Sequence, residues 1–446
     1  MNIPDNISLT ANGEELVDHL LDTRKRELEL IANLSDEQMI GERIKIVEPP
    51  IWELGHVGWF QDRWILQGLD KQEPVSVDAD NLYDSFSIRN EERWDLIFPS
   101  LAETKDYINE VFQRIIKRLH GKDPSELETY YYRLLLNHED MHSETMHHVM
   151  QTFGYEAPTL DLEPVPSNVL EIDPIYELHD VSIPGGTYML GAVEKPGMRF
   201  VFDNEKWAHP VQVAAYKIAS TPVTFGEYRK FVEEDGYKNT DLWTKEGKVW
   251  LKESGQQQPV YWQKDSGDDW TWRWFDKWNP INEFHPMIHV NWYEANAYAK
   301  WAGRRLPTEA EWDLAASGSR AKEGDGFEES KRWYPWGDQE PSPEMANLDS
   351  RNMGIVDVRA FPAGDSAFGA RQMIGNVWEW TANTFDAFPG YVIDPYATYS
   401  EPSFGEQKVL RGGCWATRWR VTRNTFRNFY TPDRNNIFAG FRTVKN

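Results

Sequence analysis

The sequence contains almost no cysteine. Cys414 stands alone among 446 residues, which excludes a disulfide framework within the chain and a metal site built from several thiolates. The N-terminal residues also lack the basic stretch and the following apolar stretch of a secretory signal peptide. Both absences are typical of proteins of the reducing cytoplasm, and we expect this chain to be cytoplasmic.

The sequence is also poor in positive charge and in long apolar runs. Its 47 lysines and arginines stand against 72 acidic residues, which gives a net charge of −25 and a pI near 4.9. A nucleic acid or an anionic membrane would select a basic surface, so we expect neither as a partner. No apolar run approaches the roughly 20 residues that a membrane-spanning helix needs. The composition predicts an acidic globular protein and leaves its oligomeric state open.

Aromatic residues, by contrast, are abundant. They make up 14% of the chain and include 21 tryptophans, enough for a large core, and the length predicts two domains. In residues 1–155, apolar side chains recur at three- and four-residue spacing, which is typical of amphipathic helices. Four long stretches of this kind, with a short helix starting at Asp36, predict an up-and-down four-helix bundle. The long stretches are residues 13–33, 50–68, 101–120 and 126–153.

A change of composition separates this bundle from the rest of the chain. Residues 156–180 are rich in proline and acidic side chains and have no helical period, so we predict a linker. Residues 181–446 are rich in glycine, tryptophan and short β-like runs, which favours an α+β domain with much loop. Helices are expected there at residues 224–234, 292–302 and 308–317.

The strongest chemical signal is the segment 138–142, which reads HEDMH. Histidines four residues apart lie on one face of a helix, so both imidazoles can reach the same metal ion. The segment also fits the H-E-x-x-H pattern of zinc proteases, but no third ligand follows in a matching position. A solvated, histidine-rich helix face is the plain alternative, because so short a pattern often occurs by chance.

His56 can complete a three-histidine site with His138 and His142. It is expected in the middle of the second long helix, which can face the fourth in a four-helix bundle. A lone histidine among apolar neighbours is more often a core residue than a ligand, so position alone makes His56 possible and no more. Three imidazoles suit Fe(II), Zn(II) and Cu(II) alike. His147 and His148 fall off the ligand face, and we expect them at the surface, with a place behind the ligands as the alternative.

Six motifs distinguish the second domain. They are IPGGTYMLG (183–191), HPMIHVNWYEANAYAKWAGRRLPTEAEWDLAA (285–316), YPWGD (334–338), GNVWEW (375–380), VLRGGCWA (409–416) and FAGFR (438–442). Together they resemble the formylglycine-generating enzymes, or sulfatase-modifying factors, which implies a C-type-lectin-like domain rich in loops. The first domain, with its three histidines, resembles a DinB-type bundle. The fusion of the two resembles the ergothioneine-type sulfoxide synthases, whose relatives include ovothiol and selenoneine synthases.

The resemblance implies an oxidoreductase that uses Fe(II) and O2 to join a sulfur atom to an imidazole carbon. The implied imidazole substrate is hercynine, the trimethylated betaine of histidine, and the implied iron ligands are His56, His138 and His142. Much of the substrate pocket is expected in the second domain, where Asn428 and Phe429 match positions that contact the betaine. An aromatic ring suits this task because a quaternary ammonium is attracted to a π face.

The sequence departs from the family where the sulfur donor binds. Some members hold γ-glutamylcysteine with an acidic residue followed, four positions later, by arginine. Here Tyr430 replaces the acid and Arg434 remains, which favours cysteine, or the selenium-bearing sugar of the selenoneine branch, as donor. Met141 likewise stands where some members carry glutamine, and it cannot donate a hydrogen bond to a substrate.

The same resemblance suggests further site residues. Arg89 and Arg93 are expected to bind a donor carboxylate or another polar group, and Tyr83 is expected to line the pocket. The family also uses a tyrosine of the second domain as a proton donor. Tyr391 is our first expectation for this role and Tyr430 our second.

Three other functions compete with this hypothesis. Formylglycine-generating enzymes proper bind copper through two cysteines, and a chain with one cysteine does not fit that activity. A DinB-type metal-dependent thiol transferase or hydrolase would use zinc without O2. In a non-catalytic binding module the metal would be structural. Stoichiometric iron and O2 uptake with hercynine would distinguish the synthase from all three.

Overall fold

The computed structural model describes residues 11–163, 165–172, 176–194 and 199–446. The chain forms two compact units. The first runs as far as Asp161 and also takes in the segment around Phe200, and the second contains the rest. None of the described helices has both the length and the apolar character of a membrane span.

Helices build the first unit. They are α1 (Gly13–Leu30), α2 (Asp36–Ile40), α3 (Pro50–Gln61), α4 (Ala79–Tyr83), α5 (Leu101–Leu119) and α6 (Glu126–Phe153). Their starts follow from the sequence: Ser35, Ser100 and Ser125 each form a capping box with the residue three positions later. The proline at the first position of α3 suits a helix start, because its missing N–H would have no partner there.

The four long helices pack as the predicted bundle, with α1 and α3 each in contact with both α5 and α6. The prediction of one helix over residues 50–68 corresponds to α3 together with a π-helical segment, Asp62–Leu69, that continues it. Segments of π-helix within α-helices often lie near functional sites. Because α3 contacts α6, the second and fourth long helices of the bundle lie side by side, as a shared metal site requires.

The second unit mixes short helices with short strands. Its helices are α7 (Phe225–Glu233), α8 (Lys245–Ser254), α9 (Trp292–Trp301) and α10 (Glu309–Ser317). The predictions near 224–234, 292–302 and 308–317 are confirmed as α7, α9 and α10. Helix α8 was not expected from the sequence. Gly247 is its one buried residue, so it has no repeating apolar stripe to reveal it.

Within the described residues the strands form two four-stranded sheets, a hairpin and a three-stranded sheet, in the orders β1-β4-β13-β8, β11-β10-β9-β12, β2-β3 and β5-β6-β7. The edge strand β11 pairs antiparallel with β10, with Phe429 opposite Val409. The strands are β1 (Asp180–Ile183), β2 (Gly186–Leu190), β3 (His209–Val213), β4 (Tyr216–Ala219), β5 (Trp262–Lys264), β6 (Trp270–Trp274), β7 (Lys277–Pro280), β8 (Arg304–Arg305), β9 (Trp378–Thr384), β10 (Lys408–Arg411), β11 (Asn428–Tyr430), β12 (Ala439–Gly440) and β13 (Val444–Lys445).

Part of the predicted linker packs against the second unit. A 3-10 turn, Ser167–Leu170, buries Val169 in a small apolar cluster with Ala360 and Phe361. The unit's largest buried side chains include Trp312, Trp380 and Trp415, so the abundant tryptophans do serve the core. The expectation of an α+β chain with a helical first domain and a loop-rich second domain is confirmed.

Candidate metal centre

Helices α3 and α6 bring three histidines together. His56 comes from α3, and His138 and His142 come from α6, one helical turn apart. Their nitrogen atoms lie within 4.8 Å of one another, close enough to share one metal ion. All three rings are largely shielded from solvent. Even His142, the most accessible of them, has only 18% of its side chain exposed.

Aromatic rings surround this cluster. Trp52 stacks on His56 with a centroid distance of 4.6 Å, and Phe60 stacks on His138 at 3.6 Å. Burial in this setting lowers the pKa of His56 and of His138 well below the ordinary range, and the neighbouring His142 adds to the effect. Neutral imidazoles are the form that binds metal, so the aromatic surroundings favour ligation.

Hydrogen bonds fix two of the rings. His56 Nδ1 donates to the carbonyl oxygen of Tyr83 at 2.8 Å, and His142 Nδ1 lies 2.5 Å from Glu53 Oε2. Burial opposes the charged form of His142, but Glu53 outweighs it and raises the pKa. Both contacts occupy Nδ1 and leave Nε2 for an ion, which is the usual arrangement around a histidine-bound metal. The three side chains therefore fit a divalent ion such as Fe(II).

The prediction that His147 and His148 lie at the surface is wrong. They are 1% and 3% exposed, because α6 is buried around most of its circumference. His147 Nδ1 donates to the carbonyl oxygen of Ser143 at 2.9 Å, and His148 Nε2 lies 3.7 Å from Glu144. Neither residue belongs to the metal-binding cluster found among the described residues.

The glutamate of the HEDMH segment is engaged elsewhere. Glu139 is fully buried and accepts a hydrogen bond from Arg24 Nε at 2.8 Å and another from Gln61 Nε2 at 2.5 Å. In a zinc protease this residue would act as general base on a metal-bound water. A carboxylate held by two such donors is a structural group, so the protease interpretation of the motif is not favoured.

Known protein families match both units. Residues 19–154 match the DinB superfamily, and residues 171–446 match the sulfatase-modifying factor enzyme 1-like domain. The chain is 34% identical over 437 residues to the hercynine oxygenase of Mycobacterium tuberculosis, covering 97% of this chain and 99% of that protein. The hercynine oxygenase of Mycolicibacterium smegmatis is 33% identical over 441 residues, covering 96% and 98% respectively. The chain belongs to the hercynine oxygenase family.

A more distant relative shares the second unit. The formylglycine-generating enzyme of Mycobacterium tuberculosis is 30% identical over 321 residues, which cover 59% of this chain and 96% of that enzyme. The shared part corresponds in extent to the sulfatase-modifying factor domain alone. This chain differs in extent from that enzyme by its DinB unit, which carries the histidine cluster.

In this member of the hercynine oxygenase family, strand β11 carries the predicted betaine contacts. Phe429 stacks on Phe385 with a centroid distance of 4.1 Å and meets the edge of Tyr399 at 5.4 Å. Asn428 precedes Phe429, and its Oδ1 accepts the Phe429 backbone N–H at 2.8 Å. Both residues are partly exposed, so a ligand can reach them.

Tyr430 and Arg434 also lie together. The Arg434 guanidinium is 5.3 Å from the centre of the Tyr430 ring, and Arg434 Nε donates to Asn436 Oδ1 at 3.0 Å. The Arg434 guanidinium thus rests on the aromatic ring of Tyr430. A cation–π contact of this kind stabilises the positive charge of the guanidinium.

Tyr391 occupies a different position in the same unit. Its hydroxyl donates to Asp203 Oδ2 at 2.7 Å, and both burial and Asp203 raise the pKa of this tyrosine. A chain of ring contacts leads from it towards Phe429: Tyr391 meets Phe404 at 5.2 Å, and Phe404 meets Phe385 at 5.0 Å. Phe385 in turn stacks on Phe429.

The two predicted arginines of the first unit differ in their surroundings. Arg93 is buried, lies 3.8 Å from the centre of the Trp52 ring and donates to Glu48 Oε1 at 2.9 Å. Because Trp52 also stacks on His56, Arg93 is one ring away from the histidine cluster. Arg89 is exposed and pairs with Glu92 at 2.6 Å, as a solvated charged loop would.

Tyr83 and Met141 both lie close to ligand histidines. The Tyr83 ring packs so tightly on Gly55 that an added Cβ would approach it at 2.1 Å, and its carbonyl oxygen holds His56. Met141 is half-buried on α6, directly before His142.

Sequence reasoning missed Glu53 and Phe60, which contact the ligand rings. Phe60 had a signal, because it lies four residues after His56 and shares its helical face, whereas the contact of Glu53 with His142 of α6 leaves no local pattern.

Proposed function

We propose that this chain is an Fe(II)- and O2-dependent enzyme that joins the imidazole of hercynine to the sulfur of a small thiol and yields a sulfoxide. The observation that carries the proposal is a buried three-histidine cluster in a chain related over nearly its whole length to hercynine oxygenases. His56, His138 and His142 would hold the iron. Three protein ligands leave further coordination positions for substrates and O2.

The proposed reaction balances without any other co-reactant. The imidazole loses its C–H hydrogen and the thiol its S–H hydrogen as the C–S bond forms. O2 accepts four electrons, so that one oxygen atom enters the sulfoxide and the other leaves as water. A bound Fe(II) would supply the redox centre that lets O2 react with these closed-shell substrates.

The second unit would bind hercynine through β11. The face of Phe429, supported from behind by Phe385, suits the trimethylammonium group by a cation–π interaction. The side-chain amide of Asn428 can donate to the betaine carboxylate.

The thiol donor would be bound through its carboxylate by an arginine of the first unit. Arg93 is the better of the two predicted arginines for the donor carboxylate, because it lies one ring from the histidine cluster whereas Arg89 is exposed to solvent. Tyr430 offers no negative charge for a second amino group, and Arg434 rests on its ring. These features favour cysteine over γ-glutamylcysteine. Met141 and Tyr83 would shape the pocket beside the ligands.

A proton must reach the reacting oxygen as the bonds rearrange. Tyr391 is the first choice because its hydroxyl carries a proton at neutral pH and a chain of ring contacts links it to Phe429. Tyr430, on β11, is the second choice.

The proposal is tested by product analysis. Metal-free full-length protein is loaded with Fe(II) under anaerobic conditions, mixed with hercynine and one donor, and then exposed to O2. The donors are cysteine, γ-glutamylcysteine and a selenium-bearing sugar, and mass spectrometry identifies the product. We expect a hercynine–cysteine sulfoxide, with one atom of ¹⁸O when ¹⁸O2 is used.

Matched variants make the test specific to the histidine cluster. His56→Ala and His142→Ala should abolish iron binding and product, whereas His148→Ala, a buried histidine outside the cluster, should keep both. A wild-type enzyme that binds iron yet forms no C–S or C–Se product with any donor contradicts the proposal. Zinc-dependent activity without O2 uptake would point to the DinB-type hydrolase instead.

A further inference from the structure

We infer that Glu53 is a positioning residue of the metal centre, which fixes the ring orientation and tautomer of His142 and strengthens it as a ligand. The inference rests on the proposed three-histidine centre and does not depend on the identity of the thiol donor. Its starting point is the distance of 2.5 Å between Glu53 Oε2 and His142 Nδ1. At that distance the imidazole N–H donates directly to the carboxylate.

Glu53 lies on the same helix as the ligand His56 and is deeply buried. Residues three apart share one helical face, so α3 presents both the ligand His56 and the carboxylate that holds His142 of α6. The Glu53 side chain is only 2% exposed. A carboxylate at such depth is costly unless a positive group compensates it. An imidazole whose other nitrogen binds a cation provides that compensation, which links the burial of Glu53 to an occupied metal site.

The two hydrogen-bonded ligands are not equivalent. His56 donates to a neutral acceptor, the carbonyl oxygen of Tyr83, whereas His142 donates to an anion. Hydrogen bonds to ionised acceptors are stronger, and a carboxylate behind an imidazole raises the electron density at its metal-binding nitrogen. Of these two ligands His142 is therefore the stronger donor to a metal ion, and Glu53 sets the difference.

Three substitutions separate charge from shape. Glu53→Gln keeps the size and one oxygen acceptor but removes the charge, Glu53→Ala removes both, and Glu53→Asp keeps the charge at shorter reach. Glu144→Gln is the matched control, because it removes a buried carboxylate of α6 that lies 3.7 Å from His148. Glu144 is two residues beyond His142, so it projects from a different side of the helix.

The measurement is Co(II) binding to the metal-free full-length protein, followed by calorimetry and by the visible absorption of the bound ion. We expect the dissociation constant to rise about 10- to 100-fold for Glu53→Ala, with a smaller rise for Glu53→Gln and partial recovery for Glu53→Asp. The Co(II) spectrum should change in the Glu53 variants and stay unchanged in Glu144→Gln. Thermal unfolding of the metal-free proteins shows that each variant is folded.

Two outcomes count against different claims. If Glu53→Ala does not fold, the isosteric Glu53→Gln carries the comparison. Folded Glu53 variants that bind Co(II) with the affinity and spectrum of the wild type overturn the role of Glu53. A wild-type protein that binds no Co(II) refutes the three-histidine centre itself.

Discussion

Arg24 and Glu139 form an ion pair inside the helical bundle, with 2.8 Å between Arg24 Nε and Glu139 Oε1. Their side chains are 6% and 0% exposed. The other guanidinium nitrogens reach Gln61 Oε1 at 3.0 Å and the carbonyl oxygen of Ile108 at 3.1 Å. One side chain of α1 thus bonds to α3, α5 and α6, and it anchors α6 next to His138 of the histidine cluster.

Removing this arginine should strongly destabilise the first unit. Arg24→Met leaves the carboxylate of Glu139 buried without its charged partner, which typically costs about 3–5 kcal/mol. The free energy of unfolding, measured by urea denaturation with circular dichroism, should fall by that amount. Arg43→Met is the control, because the pair between Arg43 and Asp95 is exposed and such pairs contribute at most about 1 kcal/mol. Equal losses in both variants would contradict the assignment.

How far the sequence could predict this molecule depended on the kind of signal. Apolar spacing predicted helix α6 with its observed bounds, and the structure shows that Ser125 caps its start and Gly154, at φ 70°, ends it. Helix α8 was not predicted because it is mostly exposed and buries no repeating set of apolar side chains. The surface assignment of His148 failed because periodicity along one helix does not say how many neighbours cover it.

The candidate site shows the same limit. Helical spacing could pair His138 with His142, but only the packing of α3 on α6 brings His56 within reach. The contact between Glu53 and His142 joins residues 89 positions apart, and no local pattern reports it. Residues that meet along one helix could be predicted from their spacing. Contacts between different helices could be identified only from the folded structure.

Phe429 should be decisive for recognition of the methylated ammonium group. In Phe429→Leu the cation–π interaction, about 1–2 kcal/mol at a desolvated site, is lost, so the KM for hercynine should rise about 5- to 30-fold. Phe429→Trp keeps an aromatic face and should keep a low KM. Phe404→Leu is a suitable control, since Phe404 also packs on Phe385. A similar KM in Phe429→Leu and the wild type would rule out this binding mode.

Tyr391 should be needed for turnover and not for metal binding. Tyr391→Phe removes the proton that the hydroxyl shares with Asp203, and general acid groups typically contribute about 10²- to 10⁴-fold to the rate. We expect kcat for the sulfoxide to fall within that range while the iron content stays constant. Because the pKa of Tyr391 is raised, its ionisation should not limit activity on the alkaline side. The reverse pattern, with Tyr430→Phe inactive and Tyr391→Phe active, would transfer the role to Tyr430.

Glu294 should make the stability of the second unit depend on pH. This carboxyl caps α9, accepts a hydrogen bond from Tyr237 at 2.5 Å, and is wholly buried, and burial raises its pKa from 4.5 to about 7. The folded protein therefore holds this proton more tightly than the unfolded chain does. Its contribution to stability is complete below pH 4.5 and is lost as the pH rises through about 7.

Glu294→Gln removes this titration, so its free energy of unfolding should decline less than that of the wild type between pH 4.5 and pH 7. The difference should approach about 3 kcal/mol at the alkaline end, since each unit of pKa shift corresponds to about 1.4 kcal/mol. Glu227→Gln, which alters the equivalent capping residue of α7, is the control. Denaturation curves recorded across this range would contradict the prediction if the Glu294→Gln and wild-type profiles ran parallel, because the buried carboxyl would then bind its proton equally well in both states.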